Sequence, residues 1–498
     1  MTFNDDQMSL VYQANKEVFM AVNTPGGISE GQIIENTVLQ GDTWGSILAS
    51  VQVDTFAQEC SEEGYSYLYK NVLPVGILGL VDDTIGVTEV GYKAQMMNAF
   101  LNVKTAEKGL QYGIKKCKSM IVGKNQGKII RSKLTLDHWT VEHVENKNTG
   151  DTVLVEKYAG QVEIGSCTEQ RYLGFIISST SDNMANIRAV RNKSIGVIRT
   201  IFTKLNSLNL QKYYFESGMI FLNVTLRSSI LYACETYYDL KESEIRQLER
   251  IEENFMRQLL KTTKGCPISQ IYLELGHIPA RFHIFKMRLF FLKTILDEKS
   301  GSLIQNFFNL QNKQPTKGDW ASSCSDNLKK LEIYLSLTEI AEMSPGKFKN
   351  IVRKKCKEKA FEYLLNKRGS KGSEIYYPVL EMSEYLSPNN VLTIEQQRYE
   401  FSLRNRMINI HANYSANSVV KCCCGKKEDM QHIFSCQQLN KSETALEYKK
   451  LFSGNLYEQK MVAQIFEENM KKRSEINEYS GHAIPNKVPP FSVDNGIG

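Results

Sequence analysis

The segment GILGLVDDTIGV, residues 76–87, places two adjacent aspartates, Asp82 and Asp83, between two short apolar runs that contain β-branched residues. This pattern predicts a β-hairpin with two carboxylates at its turn. Adjacent carboxylates repel each other more strongly as a site excludes water, and a divalent ion such as Mg²⁺ relieves that repulsion by binding their oxygens. Aspartate is also common in ordinary turns, so the pair alone favours the simpler interpretation.

The segments on either side of the hairpin have the order helix, strand (residues 33–39), helix, hairpin, helix, strand. Apolar spacing and capping residues mark the helices, and alternation marks the strands. The predictions are helices over residues 7–20 (capped by Asp5 or Asp6), 40–60 and 91–113, a strand over 118–123, and antiparallel strands between 134 and 177.

This order resembles the later half of the reverse transcriptase domain of non-LTR (LINE-type) retrotransposons. Four short motifs carry the resemblance, and they occur in the family's order. They are Gln40-Gly41 within Leu39–Leu48, then Leu80-Val81-Asp82-Asp83, then Gly113-Ile114-Lys115-Lys116-Cys117-Lys118, and finally Arg171-Tyr172-Leu173-Gly174. Each motif is a weak signal alone, whereas four in the right order are a strong one.

The resemblance implies a polymerase role for the first two motifs. Gln40 and Gly41 would contact the template and the incoming nucleotide. Asp82 and Asp83 would bind Mg²⁺ at a two-metal site, where a primer hydroxyl is activated and pyrophosphate leaves. The chain would then be an RNA-directed DNA polymerase whose partners are an RNA template, a DNA primer or duplex, and deoxynucleotides.

The other two motifs would assist that reaction. By its spacing Lys116, with Lys118 as the alternative, would help pyrophosphate to depart. The turn formed by Tyr172, Leu173 and Gly174 would hold the primer strand. Both roles are what the resemblance implies, and spacing within its Lys motif only favours Lys116 over Lys118.

Two departures from the family pattern concern activity. Gly45-Ser46 stands where the family has Ser-Pro, and no strand with its own aspartate precedes Gln7. Asp5 and Asp6 occupy cap positions, so neither receives a catalytic role. The resemblance therefore implies an N-terminally truncated reverse transcriptase whose two-metal site is incomplete and whose turnover is impaired. The alternatives are a non-enzymatic nucleic-acid-binding remnant and a helical interaction protein with a zinc-stabilised tail.

A cysteine and histidine cluster lies far along the chain. Cys422, Cys424, His432 and Cys436 follow the spacing Cys-x-Cys-x7-His-x3-Cys, and three thiolates with one imidazole suit a structural, tetrahedral Zn²⁺ site. Cys423 is the alternative to Cys422, and free buried cysteines are the simpler interpretation. The spacing also resembles the CCHC zinc knuckle that follows the polymerase in many non-LTR elements. Residues after Cys436 show no nuclease core.

Helical periodicity dominates from Asn183 onward. Helices are predicted over residues 183–206, 216–238, 241–262, 278–297, 326–342, 346–368 and 393–410. The expected fold class is α+β, with a partial polymerase palm (an antiparallel sheet with helices) followed by a mostly α-helical thumb and connector and a small CCHC zinc-knuckle-like module. The expected domains are 1–180 for the palm, 181–345 for the thumb and connector, 346–410 for a basic helical segment, 411–440 for the knuckle, and 441–498 for a helical and then disordered tail.

Charge, cysteine usage and hydropathy narrow the class of protein. The net charge is +6, and basic residues concentrate in 104–133 and 347–371, which suits a nucleic acid as well as an ordinary solvated face. The eleven cysteines are mostly scattered singly, which indicates a reducing compartment. No signal peptide is recognisable, and no apolar run reaches the roughly 18–20 residues needed to cross a bilayer. We therefore expect a soluble intracellular protein, cytoplasmic or nuclear, without a membrane partner.

Overall fold

The computed structural model describes residues 18–20, 23–24, 27–28, 32–34, 43–80, 83–107, 113–122, 134–145, 152–262, 265–298, 301–368, 375–389, 392–407, 422, 424–426, 428–439, 448–452 and 455–479. The chain divides into two compact units, Met1–Asn186 and Ile187–Gly498. The first combines helices with small sheets, and the described part of the second is helical apart from one isolated bridge. A mixed fold of helices and small sheets is therefore confirmed, whereas its assignment to a palm and thumb stays a prediction.

The strands of the first unit form two-stranded sheets among the described residues. Their bounds are β1 Val18–Met20, β2 Asn23–Thr24, β3 Gly27–Ile28, β4 Gln32–Ile34, β5 Tyr67–Tyr69, β6 Leu73–Val75, β7 Ile77–Leu80, β8 Asp83–Gly86, β9 Lys118–Ser119, β10 Thr135–Glu145, β11 Thr152–Glu163, β12 Gly165–Ser166, β13 Glu169–Tyr172 and β14 Phe175–Ser178. Antiparallel pairs are β1 with β4, β2 with β3, β5 with β6, β7 with β8, β10 with β11, and β13 with β14. Strand β9 pairs with β12 in parallel.

Two helices cover the central hairpin of the first unit. They are α1 Thr43–Glu62 and α2 Gly91–Glu107. Phe56 and Cys60 from α1 and Met97 and Leu101 from α2 are buried with Ile77 of β7 in one apolar cluster. Each helix contributes two residues one turn apart, so a single face of each helix packs on the hairpin.

One expected helix is absent from the described part of its range. Val18–Met20 forms strand β1, which pairs with Gln32–Ile34, where a helix over residues 7–20 was expected. Residues 1–17 lie outside the described part of the chain. The segment Val18-Phe19-Met20 is apolar without interruption, and a short apolar run cannot by itself distinguish a strand from a helix. Pairing with β4, which contributes Ile33 and Ile34, selects the strand.

The second unit contains most of the helices, and its first helix begins in the first unit. The bounds are α3 Met184–Ser207, α4 Tyr214–Phe221, α5 Arg227–Ile230, α6 Glu242–Leu260, α7 Ile268–Glu274, α8 Ala280–Asp297, α9 Leu303–Lys313, α10 Trp320–Lys330, α11 Leu337–Glu342, α12 Pro345–Asn366, α13 Ile394–Arg404, α14 Met430–Ser435 and α15 Leu456–Tyr479. Helix α6 follows its prediction closely, and its periodic apolar residues are buried: Ile245, Leu248, Ile251, Phe255 and Leu259.

Two helices that the sequence predicts as continuous are broken. The predicted helix 216–238 ends at Ile230, the last residue of α5, and Ala233 beyond it has φ 54°. A π-helical turn over Leu222–Leu226 joins α4 to α5 with helical backbone on both sides, and Arg227 directly after it forms a buried, two-bond ion pair with Glu252 of α6 (2.6 and 3.0 Å). The predicted helix 326–342 is divided between α10, which ends at Lys330, and α11, which begins at Leu337. Ser336 and Glu339 form a capping box at the start of α11. At Ser336, a local cap thus starts a new helix where the apolar period predicts a continuous one.

None of the described helices in either unit is both long enough and apolar enough to cross a lipid bilayer.

Candidate metal centre and the Asp83 hairpin

A tight turn brings the first two predicted metal ligands to one side of the chain. The Cys422 amide donates to the Lys426 carbonyl (2.8 Å), and the Gly425 amide donates to the Cys422 carbonyl (2.7 Å). Gly425 has φ 81°, in the left-handed region that glycine adopts without a Cβ penalty. The turn therefore folds Cys424 back towards Cys422.

Helix α14 supplies the other two ligands. Asp429 caps this helix, and its carboxylate accepts a hydrogen bond from the His432 amide at 2.8 Å. Cys436 follows the last helical residue, four positions after His432, so both side chains lie on the same side of the helix. The cap thus fixes the orientation of the segment that carries both ligands.

The four side chains converge as a metal centre requires. One ligand atom from each of Cys422, Cys424, His432 and Cys436 lies within 4.8 Å of the others. The Cys422 and Cys436 sulfurs are 3.7 Å apart, and the Cys424 sulfur lies 3.0 Å from His432 Nε2. Tetrahedral Zn²⁺ with bonds of about 2.3 Å to sulfur places two thiolates about 3.8 Å apart. A disulfide would need about 2.0 Å, so the pair is spaced for an ion.

The predicted ligand set is therefore brought together as a Cys3His cluster that can hold a metal ion. Of the two alternatives at the first position, Cys422 belongs to the cluster, while Cys423 lies outside the described residues. A backbone hydrogen bond from Lys426 lowers the pKa of the Cys424 thiol, whereas burial raises the pKa of Cys436. Both thiols must lose their protons to bind an ion, and the ion's own charge drives that loss.

Helix α15 supports the cluster from the other side. Asn469 donates to the carbonyls of Ile433 (2.9 Å) and Phe434 (3.3 Å), near the end of α14. Arg473 forms a buried, two-bond ion pair with Glu428 (2.6 and 3.0 Å), just ahead of the Asp429 cap. These partners were missed from the sequence, because nothing in the spacing of residues 428–473 links a helix to a turn so far away.

The apolar surroundings complete the metal centre. Cys422 and Cys436 are part of a buried core built from α13, α14, the turn at residues 448–452, and α15. Its buried members are Leu403, Cys422, Met430, Ile433, Phe434, Cys436, Leu439, Leu451, Val462, Ala463 and Phe466. Cys422 and Cys436 are thus buried in the helical second unit, while Cys424 and His432 are half-buried.

The Asp83 hairpin is a different kind of site. Strands β7 and β8 pair antiparallel, with Leu80 opposite Asp83, and Asp83 is exposed. Asp82 lies outside the described residues. A Cβ atom at Gly79 would lie 2.5 Å from Val53 Cγ1, so the glycine lets α1 approach the strand that ends beside Asp83.

A second hairpin approaches the first one. The Tyr172 hydroxyl donates to the Asp83 carbonyl at 3.4 Å, although the two residues are 89 positions apart. Burial raises the pKa of Tyr172, and the charge of Asp83 raises it further. Leu173 (φ 47°) and Gly174 (φ 83°) form the left-handed turn between β13 and β14. Such a turn suits the twist of a two-residue hairpin.

The remaining predicted polymerase residues are described only in part. Lys116 is exposed in a 3-10 turn over Ile114–Lys116, and Lys118 begins β9. Gln40 and Gly41 lie outside the described residues. Within the described part of the chain, the contact that joins two of the predicted motifs is the one between Tyr172 and Asp83.

Comparison with known proteins adds no family to this description. No protein-family model matches the chain, and no curated protein gives a significant match.

Proposed function

We propose that this chain is a nucleic-acid-binding protein of the reverse transcriptase type. In this proposal the Asp82-Asp83 turn binds Mg²⁺, and the turn of Tyr172, Leu173 and Gly174 holds the primer strand beside it. The observation that carries the proposal is the hydrogen bond between the Tyr172 hydroxyl and the Asp83 carbonyl. The two motifs were singled out separately in the sequence, and a polymerase needs the primer end next to the metal-binding carboxylates.

The residues around the contact suit this role. Asp83 is exposed at the end of its strand, so a phosphate and an ion can reach its carboxylate. The Tyr172 phenol is neutral near physiological pH, as tyrosine ordinarily is, and burial raises its pKa further, so it adds no negative charge where phosphate would bind. Lys116 is exposed and would neutralise a departing pyrophosphate. Bound Mg²⁺ would supply the charge that stabilises the leaving group.

The second candidate function is a nucleic-acid-binding remnant that binds template–primer without nucleotidyl transfer. Within the described part of the chain, the hydrogen bond that carries the proposal joins the metal-binding and primer-binding motifs, and Lys116 takes no part in it. Binding needs only those two motifs, whereas turnover also needs a group that stabilises the departing pyrophosphate.

We further propose that the Cys3His cluster binds Zn²⁺ in a structural role. Four protein ligands close the coordination sphere, which is typical of structural rather than catalytic zinc. The donor set supports this choice, because thiolates and imidazole prefer zinc to the oxygen-seeking Mg²⁺. In this role the ion would join the Cys422 turn to helix α14 and hold both against α15.

The test compares the wild-type chain with the Asp82→Asn, Asp83→Asn double variant. Binding of a fluorescent RNA–DNA template–primer is measured by anisotropy with and without Mg²⁺, and primer extension is measured in the same buffers. We expect Mg²⁺ to tighten binding in the wild type and to have no effect in the double variant. Asp326→Asn, an exposed aspartate of α10, is the matched control.

Each outcome of this test has a distinct meaning. Equal Mg²⁺ dependence in the wild type and the double variant would contradict metal binding at the Asp82-Asp83 turn. Mg²⁺-dependent primer extension that the double variant loses would support a catalytic polymerase. Mg²⁺-dependent binding without extension would favour the binding remnant.

A further inference from the structure

Helix α12, Pro345–Asn366, has a strongly uneven distribution of charge. Its buried face is apolar and repeats every four residues: Phe348, Val352, Cys356, Ala360 and Leu364. On the remaining surface, residues 345–357 contain Lys and Arg but no Asp or Glu; the first acid is Glu358. The N-terminal end of a helix also has partial positive charge, so the two effects add.

Ion pairing divides the cations of this helix into two groups. Towards the C-terminal end, Glu358 lies 3.2 Å from Lys355 and 4.0 Å from Lys354, Lys357 lies 3.1 Å from Glu381, and Lys359 pairs with Glu332. Towards the N-terminal end, three cations have no carboxylate partner within the described ranges: Lys347, Lys349 and Arg353. The charge that remains for a partner is therefore at the N-terminal half of α12.

An aromatic ring of the neighbouring helix holds two of these cations in place. Phe290 of α8 is half-buried, and the Lys349 ammonium and the Arg353 guanidinium carbon lie 5.6 and 5.4 Å from its ring centroid. Such cation–π contacts orient the side chains while their charged ends stay accessible. We call Lys286, Phe290, Lys349 and Arg353 the Phe290 patch.

Lys286 belongs to the patch because it lies one turn before Phe290 on α8. Burial lowers the pKa of Lys286, and the positive charges of Arg227 and Arg353 lower it further. Like charges gathered in this way repel each other, and a bound anion relieves the repulsion. The patch is therefore arranged for a partner with several negative charges.

We propose that the Phe290 patch binds the phosphate backbone of a nucleic acid. Phosphate contacts made by Lys and Arg release condensed counterions, which favours binding without any sequence preference. An anionic membrane is the less suitable partner, because membrane-bound helices insert an apolar face and the apolar face of α12 is buried against the protein. The proposal does not rest on the polymerase assignment, since the patch lies in the second unit and the Asp83 hairpin in the first.

The test uses the full chain and a short fluorescein-labelled single-stranded RNA. The Lys349→Gln, Arg353→Gln variant is compared with the Lys355→Gln, Lys357→Gln variant, which removes the same charge from the same helix at paired positions. We expect the patch variant to bind roughly tenfold more weakly near 0.1 M salt, which corresponds to about 0.7 kcal/mol for each of the two cations. The slope of its salt dependence should fall by about 0.7 for each phosphate that the variant no longer neutralises.

Several results would overturn the proposal. An equal loss in both variants would mean that net charge alone matters, and no loss in the patch variant would remove the patch as a site. Weaker binding to vesicles containing phosphatidylserine, with RNA binding unchanged, would identify a membrane partner instead. Repeating the titration in the Asp82→Asn, Asp83→Asn background separates the two proposals, because the effect of the patch should persist there.

Discussion

The metal centre and the Asp83 hairpin differ in how the fold encloses their polar groups. Cys422 and Cys436 are 5% and 2% exposed and belong to an apolar core, whereas Asp83 is exposed and its carbonyl accepts a hydrogen bond from the Tyr172 hydroxyl. A closed set of four ligands serves structure, and an open carboxylate leaves positions for a substrate. The difference predicts that damage to the metal centre lowers stability, while damage to the hairpin lowers ligand binding and leaves stability nearly unchanged.

Loss of one metal ligand should have the largest effect on the molecule. Cys436→Ser removes a buried thiolate, and we expect the zinc content to fall from about one ion per chain to near zero. Binding energy at such a site is also folding energy, so the segment from Cys422 to α15 should become sensitive to protease. Elemental analysis and limited proteolysis measure the two effects.

The control for the metal centre is Cys117→Ser. Cys117 is a half-buried cysteine of the first unit and lies outside the Cys3His cluster. Its replacement should leave the zinc content unchanged. Zinc retained by the Cys436→Ser chain, or lost equally from both chains, would show that the cluster is not the zinc site.

The next effect should come from the ion pair behind the metal centre. Arg473→Ala leaves the buried Glu428 carboxylate without its guanidinium partner, and breaking a buried pair in this way costs about 3–5 kcal/mol. Lys471→Ala is the matched control, because Lys471 is a largely exposed cation of the same helix and pairs along it with Glu467. Such surface pairs contribute about 0.3–0.5 kcal/mol. Denaturant unfolding of the three zinc-loaded chains measures the difference, and similar losses in both variants would refute a supporting role for Glu428.

Sequence patterns predicted the parts of both regions that depend on near neighbours. The cysteine spacing is contained within residues 422–436, and the hairpin around Asp83 follows from two adjacent apolar runs. The helix break before Ser336 was missed, because the apolar period continues across it, although Ser336 and Glu339 have the capping-box spacing. Contacts over long separations left no such signal. The Arg473–Glu428 pair and the Arg227–Glu252 pair each depend on helices that meet only in the folded chain.

A smaller, pH-dependent effect on the free energy of unfolding should come from helix α13. This helix contributes Leu403 to the apolar core around Cys422 and Cys436. Burial raises the pKa of Glu400 to about 8; Arg404 opposes the shift and Glu274 adds to it. The folded chain therefore holds a proton that the unfolded chain releases near pH 4.3. Glu400 then destabilises the fold increasingly as pH rises from about 4 to 8, by at most about 1.4 kcal/mol per pH unit.

The Glu400→Gln variant tests this pH dependence. Neither oxygen of Glu400 has a hydrogen-bond partner within the described part of the chain, so the amide should replace the protonated carboxyl without breaking a bond. Relative to the wild type, the variant should gain stability progressively between pH 5 and 8. If the free energies of unfolding of the wild type and the variant change with pH in parallel over this range, Glu400 does not bind the extra proton.

The smallest effect on stability should be at the contact between the two hairpins. Tyr172→Phe removes a single, long hydrogen bond to the Asp83 carbonyl, and a bond of this kind contributes about 0.5–1.5 kcal/mol at most. We expect thermal unfolding to change little, while Mg²⁺-dependent binding of the template–primer weakens a few-fold because the two turns are no longer held together. Tyr92→Phe, at an exposed tyrosine of α2, is the control and should change neither property. A large loss of stability with unchanged binding would contradict the assignment of the hairpin to ligand binding. The hairpin would then have a structural role, like the metal centre.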